Sequence, residues 1–543
     1  MGKASVMRTG TPGKASVREP STRRLALAGL TGLLLAASYP SLGWWWLALV
    51  AYVPLLWAVA GIARARQGFV LGWVAGTVLH GLSFYWLSFT IREMSGLPTV
   101  VGWLVVLLHA AAMGLHQAVF AAAVVATRQW QSRVWWPAWV GVTLLAAEVI
   151  VPWQFPWYLG NAVYPAPVLL QAADVVGVVG VSALAAACSA VVVDALRAKS
   201  WRRGLFLVAL LGCWTGYGAL RLWMVEAVPV NRTLAVGLVQ HNPSMKEKTS
   251  LKPGPRLPMF SRAIALTTQL PLDDLDLVIW PEGALPFFYV PLEVDKPGRA
   301  PPVLRRVTAD LHAFAAKLGR PLIVGTLRMS DRQWKARPTN AAVVIDGTST
   351  QAYDKHLLVP FGEYLPGRDL MPTLKDLVPG VSDLGAGQGT SVLEVRGVRL
   401  GMSICYEALF SGFMWRQTRD SDVLLNLTDD VWFGPTNAPE LHLMVQIPRA
   451  VELRRPLLRA TATGISAMVD AGGRVTARTP VWQTATRVVR VQLRDVGSPF
   501  RVWGPWPARA LAALVAGLLL LVEWRRRAGL RVGVERDEGV AGS

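Results

Sequence analysis

The sequence predicts an α-helical membrane bundle of eight transmembrane helices joined to one α/β domain at residues 226–502. Three observations lead there. The 543 residues are 52% hydrophobic and only 17% charged, with a mean hydropathy of +0.36, which is too apolar for an ordinary soluble protein. Apolar runs recur at 25–41, 43–61, 68–90, 98–127, 134–152, 167–195, 204–224 and 503–524. Each is near the ~20 helical residues that cross ~30 Å of hydrocarbon. Between 226 and 502 the texture changes to short β-rich runs alternating with helical patterns, as in an α/β domain.

Residues 1–24 are polar and basic and carry Gly-Lys-Ala-Ser-Val twice, at 2–6 and 13–17. They read as a disordered tail. No small-x-small cleavage site follows the first apolar run and a second span comes at once, so that run is read as a retained anchor rather than a signal peptide. Seven spans fill 25–225, the eighth is 503–524, and 525–543 is a second tail. Positive charge marks alternate connections: the N-terminal tail, Arg64 and Arg66, Arg128 and Arg133, Arg197 to Arg203, and Arg525-Arg526-Arg527. The other short loops hold Arg92 balanced by Glu93, or no charge. With eight spans every positive segment falls on one side, which places both termini in the cytoplasm and residues 226–502 on the opposite face. Arg221 and Arg509, near span ends, are expected to snorkel to the interface. Of the net charge of +20, only +7 lies between Glu226 and Arg501. No basic helix or basic patch interleaved with aromatics occurs, so nucleic acid is not an expected partner.

Within 226–502 the strand candidates are Leu234–Gln240, Leu275–Trp280, Pro321–Leu327, Ala341–Ile345, Ser391–Ser403, Val423–Leu427, Ile465–Val469 and Arg487–Val491. Helices are expected at 256–270, 303–318 and 437–454. A domain of this size can bury a core of its own.

Three cysteines cannot build a disulfide framework. Cys188 and Cys213 lie in apolar runs, leaving Cys405 as a free thiol. No His pair has metal-ligand spacing, and no metal is expected. Cys405 stands where the Ser391–Ile404 run should end, beside Tyr406 and Glu407. Alone it could as well be a small buried hydrophobe. Two further stretches favour chemistry. In Leu277-Val-Ile-Trp-Pro-Glu282-Gly, a strand ends at Trp-Pro and Glu282 emerges just past it. In Tyr353-Asp-Lys355-His-Leu-Leu-Val-Pro-Phe-Gly-Glu363, a lysine stands at the edge of an apolar element. A carboxylate, an amine and a thiol form a working set. Glu282 can take the thiol proton as general base, and the Lys355 ammonium can stabilise thiolate and oxyanion.

The Trp-Pro-Glu, Lys-His-Leu-Leu-Val-Pro-Phe-Gly-Glu and Cys-Tyr-Glu stretches, in this order, resemble the nitrilase superfamily. Framed by eight spans, with Phe155-Pro-Trp157 and Gln171-Ala-Ala-Asp174-Val-Val-Gly177 in the membrane part, the chain resembles the apolipoprotein N-acyltransferases. Trp432-Phe-Gly434 and Arg455-Pro-Leu-Leu-Arg459-Ala-Thr461 extend the likeness. The resemblance implies a nitrilase-like αββα sandwich with a Glu282, Lys355, Cys405 triad. It implies that Glu363 supports the lysine and thiol, that Tyr406 and Glu407 follow the nucleophile, and that the Tyr406 N–H serves an oxyanion hole. It further implies a bacterial inner-membrane enzyme with its catalytic domain on the periplasmic face. That enzyme would move an acyl chain from a phospholipid, with phosphatidylethanolamine the expected donor, through a Cys405 thioester to the α-amine of a diacylglyceryl-apolipoprotein. No cofactor is implied, because an ester already holds the acyl group in activated form.

Pro286-Phe287-Phe288-Tyr-Val-Pro-Leu292 and Leu409-Phe-Ser-Gly-Phe413-Met-Trp415 are apolar and close to the candidate triad. They are read either as mobile arms that dip into the bilayer, through Phe287, Phe288, Phe413 and Trp415, or as ordinary packing. Three stretches depart from the family pattern. Thr428-Asp429-Asp430 stands where Asn-Asp is commoner, Thr461-Ala462-Thr463-Gly464 replaces Thr-Asn-Asn-Gly, and His241-Asn-Pro-Ser-Met-Lys-Glu-Lys248 lacks a tryptophan. The other readings are a membrane-tethered amidase, which would not need eight spans, and an inactive membrane scaffold.

Overall fold

The computed structural model describes residues 20–250, 253–291, 300–329, 336–370 and 382–529. Most of the two expected tails, and Leu292 of the first aromatic stretch, lie outside these residues. Apolar helices occupy every region expected to span. They are Thr22–Ser38, Trp45–Leu49 followed by Val53–Val59, Ala65–Ser83 bent by 56° into Trp86–Ser95, Thr99–Met113 continued by Leu115–Ala126, Trp136–Ile150, Val178–Ala198, Trp201–Ala227 and Trp506–Arg527. Among the described residues four are long and apolar enough to cross a membrane (Thr99–Ala126, Val178–Ala198, Trp201–Ala227 and Trp506–Arg527), and the bent pair makes five. Small residues let the helices approach closely. A Cβ on Gly72 would lie 2.0 Å from the Gln117 carbonyl oxygen. The expected 167–195 span is broken: Pro167–Leu170 and Ala173–Val176 are short helical turns, and Gly177 takes φ 80 before Val178–Ala198 begins. A Cβ at Gly177 would lie 2.9 Å from the Phe500 ring, so glycine is needed there for space as well as for φ.

Among the described residues the α/β part holds twelve strands: β1 (Arg232–Gln240), β2 (Leu277–Tyr289), β3 (Leu322–Arg328), β4 (Thr339–Asp346), β5 (Ser349–Asp354), β6 (Val392–Val395), β7 (Val398–Ile404), β8 (Val423–Thr428), β9 (Leu457–Thr461), β10 (Ala467–Val469), β11 (Val475–Arg478) and β12 (Ala485–Leu493). They form two six-stranded sheets, ordered β12-β1-β2-β3-β4-β5 and β11-β10-β9-β8-β7-β6. The inner strands β1-β2-β3 and β7-β8-β9 are parallel, and the flanking pairs are antiparallel. The sheets face each other through Val236, Ile279 and Val344 on one side and Met402, Leu425 and Leu458 on the other. Helices Pro253–Thr267 and Pro302–Leu318 cover the first sheet's outer face. Helix Ala438–Leu453 covers the second and packs at the same time on the helical bundle. This is an αββα sandwich whose one outer helix layer is also its seat on the bundle.

Two expected strands come out differently. Ser391–Ser403 is a hairpin, because Arg396 (φ 48) and Gly397 (φ 76) turn the chain with both φ positive between the Val395–Val398 pair. The strand expected to stop at Trp280 runs on to Tyr289 through two register shifts.

Buried charge ties the two parts together. Asp174, fully buried, pairs with Arg221 at 2.6 Å and with buried Arg454, and accepts from Tyr217 Oη at 2.5 Å. Arg454 also donates to Gln171 at 2.6 Å, and Gln171 in turn to the Gly472 carbonyl at 2.8 Å. Arg221 therefore does not snorkel: its guanidinium is turned inward onto Asp174. Arg509 lies over the Trp506 ring at 5.0 Å. Asp174→Asn strips the carboxylate from a buried arginine. We expect it to destabilise the protein by about 3–5 kcal/mol, seen as a lower melting temperature in detergent; an unchanged melt would deny the pair any part in holding the two halves together.

Candidate active site

A bulge in β2, the residue after β5 and the turn after β7 bring the three sequence candidates to one place. β2 passes through Glu282 rather than ending before it. The β2–β3 register shifts between Trp280 and Leu285. Gly283 takes φ 64, and Gly325 on β3 lies where a Cβ would come within 2.3 Å of the Pro281 oxygen and 2.5 Å of Glu282 Cα. The bulge turns the Glu282 side chain into the site. Asn340, at the start of β4, donates through Nδ2 to Glu282 Oε1 (2.6 Å) and Glu363 Oε1 (2.8 Å). Lys355 follows β5 and is fully buried. Its N–H donates to the Asn340 carbonyl at 2.8 Å, and its Nζ meets Glu363 at 2.8 and 2.9 Å. Glu363 also accepts from the Val359 N–H at 2.9 Å.

β7 ends at Ile404, and Cys405 opens a tight turn, Cys405–Leu409, at φ 51. Positive φ is uncommon in a residue with a side chain and costs of order 1–2 kcal/mol. Glu407 holds this turn. Its carboxylate accepts from the N–H groups of Ile404 (2.7 Å), His356 (2.7 Å) and Leu357 (3.0 Å) and from the Tyr353 hydroxyl (2.7 Å). It thereby locks the Cys405 turn to the Lys355 loop. Asn426 of β8 donates to the Cys405 carbonyl at 3.3 Å. Tyr406 reaches the bundle: its hydroxyl donates to the Gln154 carbonyl, and its ring meets Phe155 edge-on at 5.7 Å. Glu407→Ala would leave three backbone donors without their acceptor. We expect a loss of about 3 kcal/mol or more in stability together with loss of activity, read by thermal melting and turnover of one preparation. Loss of neither would show that the turn holds itself.

Charge in the site follows from burial and neighbours. Loss of solvation raises the Glu282 carboxyl to about 7; the Lys355 ammonium opposes the rise, while Glu363 and Asp429 add to it. Burial works against the charge on Lys355, but Glu363 and then Glu282 outweigh it and hold the ammonium well above the ordinary lysine range. Burial, then Glu282, push the Cys405 thiol well up against the pull of Lys355. At neutral pH the site thus holds a thiol, a permanent ammonium and a carboxyl poised to accept a proton.

The aromatic stretches are packed. Phe287 lies in β2 and Phe413 in helix Ser411–Thr418, at 7% and 4% exposure. Phe288 and Trp415 are half-buried, and Trp415 Nε1 donates to the Arg501 carbonyl at 2.9 Å. Sequence reasoning missed Asn340, which joins Glu282 to Glu363. A polar residue at the head of the apolar run Ala341–Ile345 was the available signal.

Residues 31–191 match the family described as the apolipoprotein N-acyltransferase N-terminal domain, and residues 235–499 match the carbon-nitrogen hydrolase family. A curated relative named apolipoprotein N-acyltransferase from Geobacter metallireducens is 31% identical, over 91% of this chain and 95% of that one. One of the same name from Sinorhizobium medicae is 32% identical, over 82% and 85%. A solved amidase from Nesterenkonia sp. is 19% identical, covering 52% of this chain and 98% of its own, at a TM-score of 0.37. The chain spans nearly the full length of the first of these relatives at above 30% identity, and both of its parts match in order: it belongs to the apolipoprotein N-acyltransferase family.

Proposed function

We propose that this chain completes lipoprotein maturation by moving an acyl chain from a phospholipid, through a thioester on Cys405, to the α-amine of the diacylglyceryl-modified N-terminal cysteine of an apolipoprotein. The observation that carries the reading is the joining of Glu282, Lys355 and Glu363 beside Cys405, in a chain of this family. In the first half-reaction Cys405 Sγ attacks the ester carbonyl as its proton passes to Glu282. The Lys355 ammonium and the Tyr406 N–H meet the oxyanion. The C–O bond breaks, and the Glu282 proton leaves with the lysophospholipid hydroxyl. In the second the α-amine attacks the thioester, the C–S bond breaks to free the Cys405 thiolate, the amine proton returns to that thiolate through Glu282, and the amide is released. Phosphatidylethanolamine is the proposed donor, and no cofactor enters either step.

Both substrates are membrane lipids, and Tyr406, next to Cys405, touches the bundle at Gln154 and Phe155. In the proposed topology eight segments span the inner membrane, both termini are cytoplasmic and residues 226–502 lie in the periplasm. The positive loops and the flanking apolar helices support it. Protease digestion of sealed spheroplasts tests the assignment: cleavage within 226–502 from outside is expected, and protection there would reverse it.

Intact-mass analysis after incubation with phosphatidylethanolamine tests the chemistry. A gain of one acyl chain on Cys405, discharged by a diacylglyceryl-cysteine peptide, is expected. Discharge by water alone would make the protein a hydrolase, and no adduct would make it a scaffold.

A further inference from the structure

Two of the stretches that depart from the family pattern meet in space. Lys248 Nζ lies 2.6 Å from Asp429 Oδ2, with side chains 15% and 1% exposed. The pair crosses the site beside Glu282. A Cβ built on Gly283, the next residue, would fall 2.2 Å from Lys248 Nζ and 3.3 Å from its Cε. The lysine tip therefore rests directly on the Glu282-Gly283 turn.

Both partners are held in place. Lys248 belongs to the short helix Met245–Thr249, whose N-terminus is closed by Ser244 and Glu247 in a reciprocal cap. Glu247 is tied to Arg262 at 2.6 Å, and Arg262 also donates to the His241 and Asn242 carbonyls at 2.9 and 3.0 Å. Asp429 follows β8, two residues before Val431, whose N–H it accepts through Oδ1 at 3.1 Å. The ion pair spans two loops from different sheets and lies over the turn that carries the proposed base.

We propose that Lys248, paired with Asp429, is a positioning residue for the acyl transfer: it pins the Glu282-Gly283 turn and cancels the Asp429 carboxylate beside the base. The proposal rests on Glu282 being the base of the reaction above. The charged and titratable groups facing Glu282 are Lys355 and Glu363 from the β5 side, the Cys405 thiol from the β7 turn and Asp429 from the β8 loop. Lys248 pairs with Asp429 and acts, with Arg262, on His241, which burial first of all holds neutral with its pKa lowered to about 3. Without the lysine, a buried carboxylate stands uncancelled next to Glu282 and favours its protonated, inactive form. Without the aspartate, an uncancelled ammonium favours the ionised form.

The test is the pH dependence of thioester formation with phosphatidylethanolamine in K248M, D429N and the double variant. K248M is expected to move the acidic limb of the rate up by about one pH unit, with about a tenfold loss at pH 6. D429N should move it down by a similar amount, and K248M/D429N should return it close to wild type. K248R, which keeps the charge, should rescue K248M. Shifts of one sign in both single variants, or a lower rate with an unmoved limb, would overturn the proposal and leave the pair a structural tie. A wild-type protein that forms no Cys405 adduct at any pH would instead sink the underlying reaction. Thermal melts of each variant separate unfolding from altered titration.

Discussion

Replacing Cys405 with serine is expected to lower thioester formation and N-acylation roughly 10³-fold or more, with the protein still folded. A serine alkoxide is far harder to generate than a thiolate. Here even the thiol is pushed up by burial, against the pull of Lys355, and in the proposed reaction its proton passes to Glu282. The exchange is small. Oγ replaces Sγ on a partly accessible side chain, and the backbone at φ 51 is equally strained for both residues. Glu407 still holds the turn through the Ile404 N–H. The melting temperature should therefore stay near wild type while the acyl adduct disappears from the intact mass. Sustained N-acylation of a diacylglyceryl peptide by the serine protein would remove Cys405 from the mechanism.

The parts of this site that were legible in the sequence are those the backbone puts side by side. Glu282 and Cys405 each follow an apolar run of the sequence and Lys355 stands just before another, Leu357-Leu358-Val359, and an ionisable residue at the edge of an apolar run stands out without any knowledge of its neighbours. Asn340 did not stand out as a partner, because its role exists only once β4 is paired between β3 and β5. The Lys248–Asp429 pair was equally hidden. Both stretches were recognisable as departures, but nothing along the chain indicates that two oddities some 180 residues apart cancel each other's charge.

The missed strands have local causes. β5 begins Ser349-Thr-Gln, and β11 alternates half-buried and exposed residues; both are edge strands with little apolar signal. β9 is fully buried, yet it carries Arg459, whose guanidinium is paired with buried Asp430 at 2.7 Å. A charged residue that is neutralised only in three dimensions makes a core strand read as polar. In the bundle, hydropathy located the helices, but it does not register backbone breaks. The Gly177 turn and the bend after Ser83 were invisible to it, although both shape the surface on which the α/β part rests.

Glu282→Gln is expected to slow thioester formation by about 10²–10⁴-fold and to abolish the acidic limb of its pH profile. The amide has nearly the same shape and keeps an oxygen to accept from Asn340 Nδ2, so the contact at 2.6 Å and the bulge in β2 should survive. What it cannot do is receive the thiol proton. In the wild type the carboxyl titrates at about 7, because loss of solvation outweighs the Lys355 ammonium. In the proposed reaction the base is the ionised form, so its fraction falls as the pH drops. The rate should climb through pH 7 with increasing pH, and at pH 5 only about one carboxyl in a hundred is ionised, which predicts about a hundredfold loss. Lys355 stays protonated throughout this range and adds no limb of its own. The measurement is the single-turnover rate of acyl-adduct formation between pH 5 and 8 in both proteins. A glutamine variant that kept the limb would assign the titration to another group. One that kept the rate as well would show that Cys405 loses its proton by a route that does not pass through Glu282.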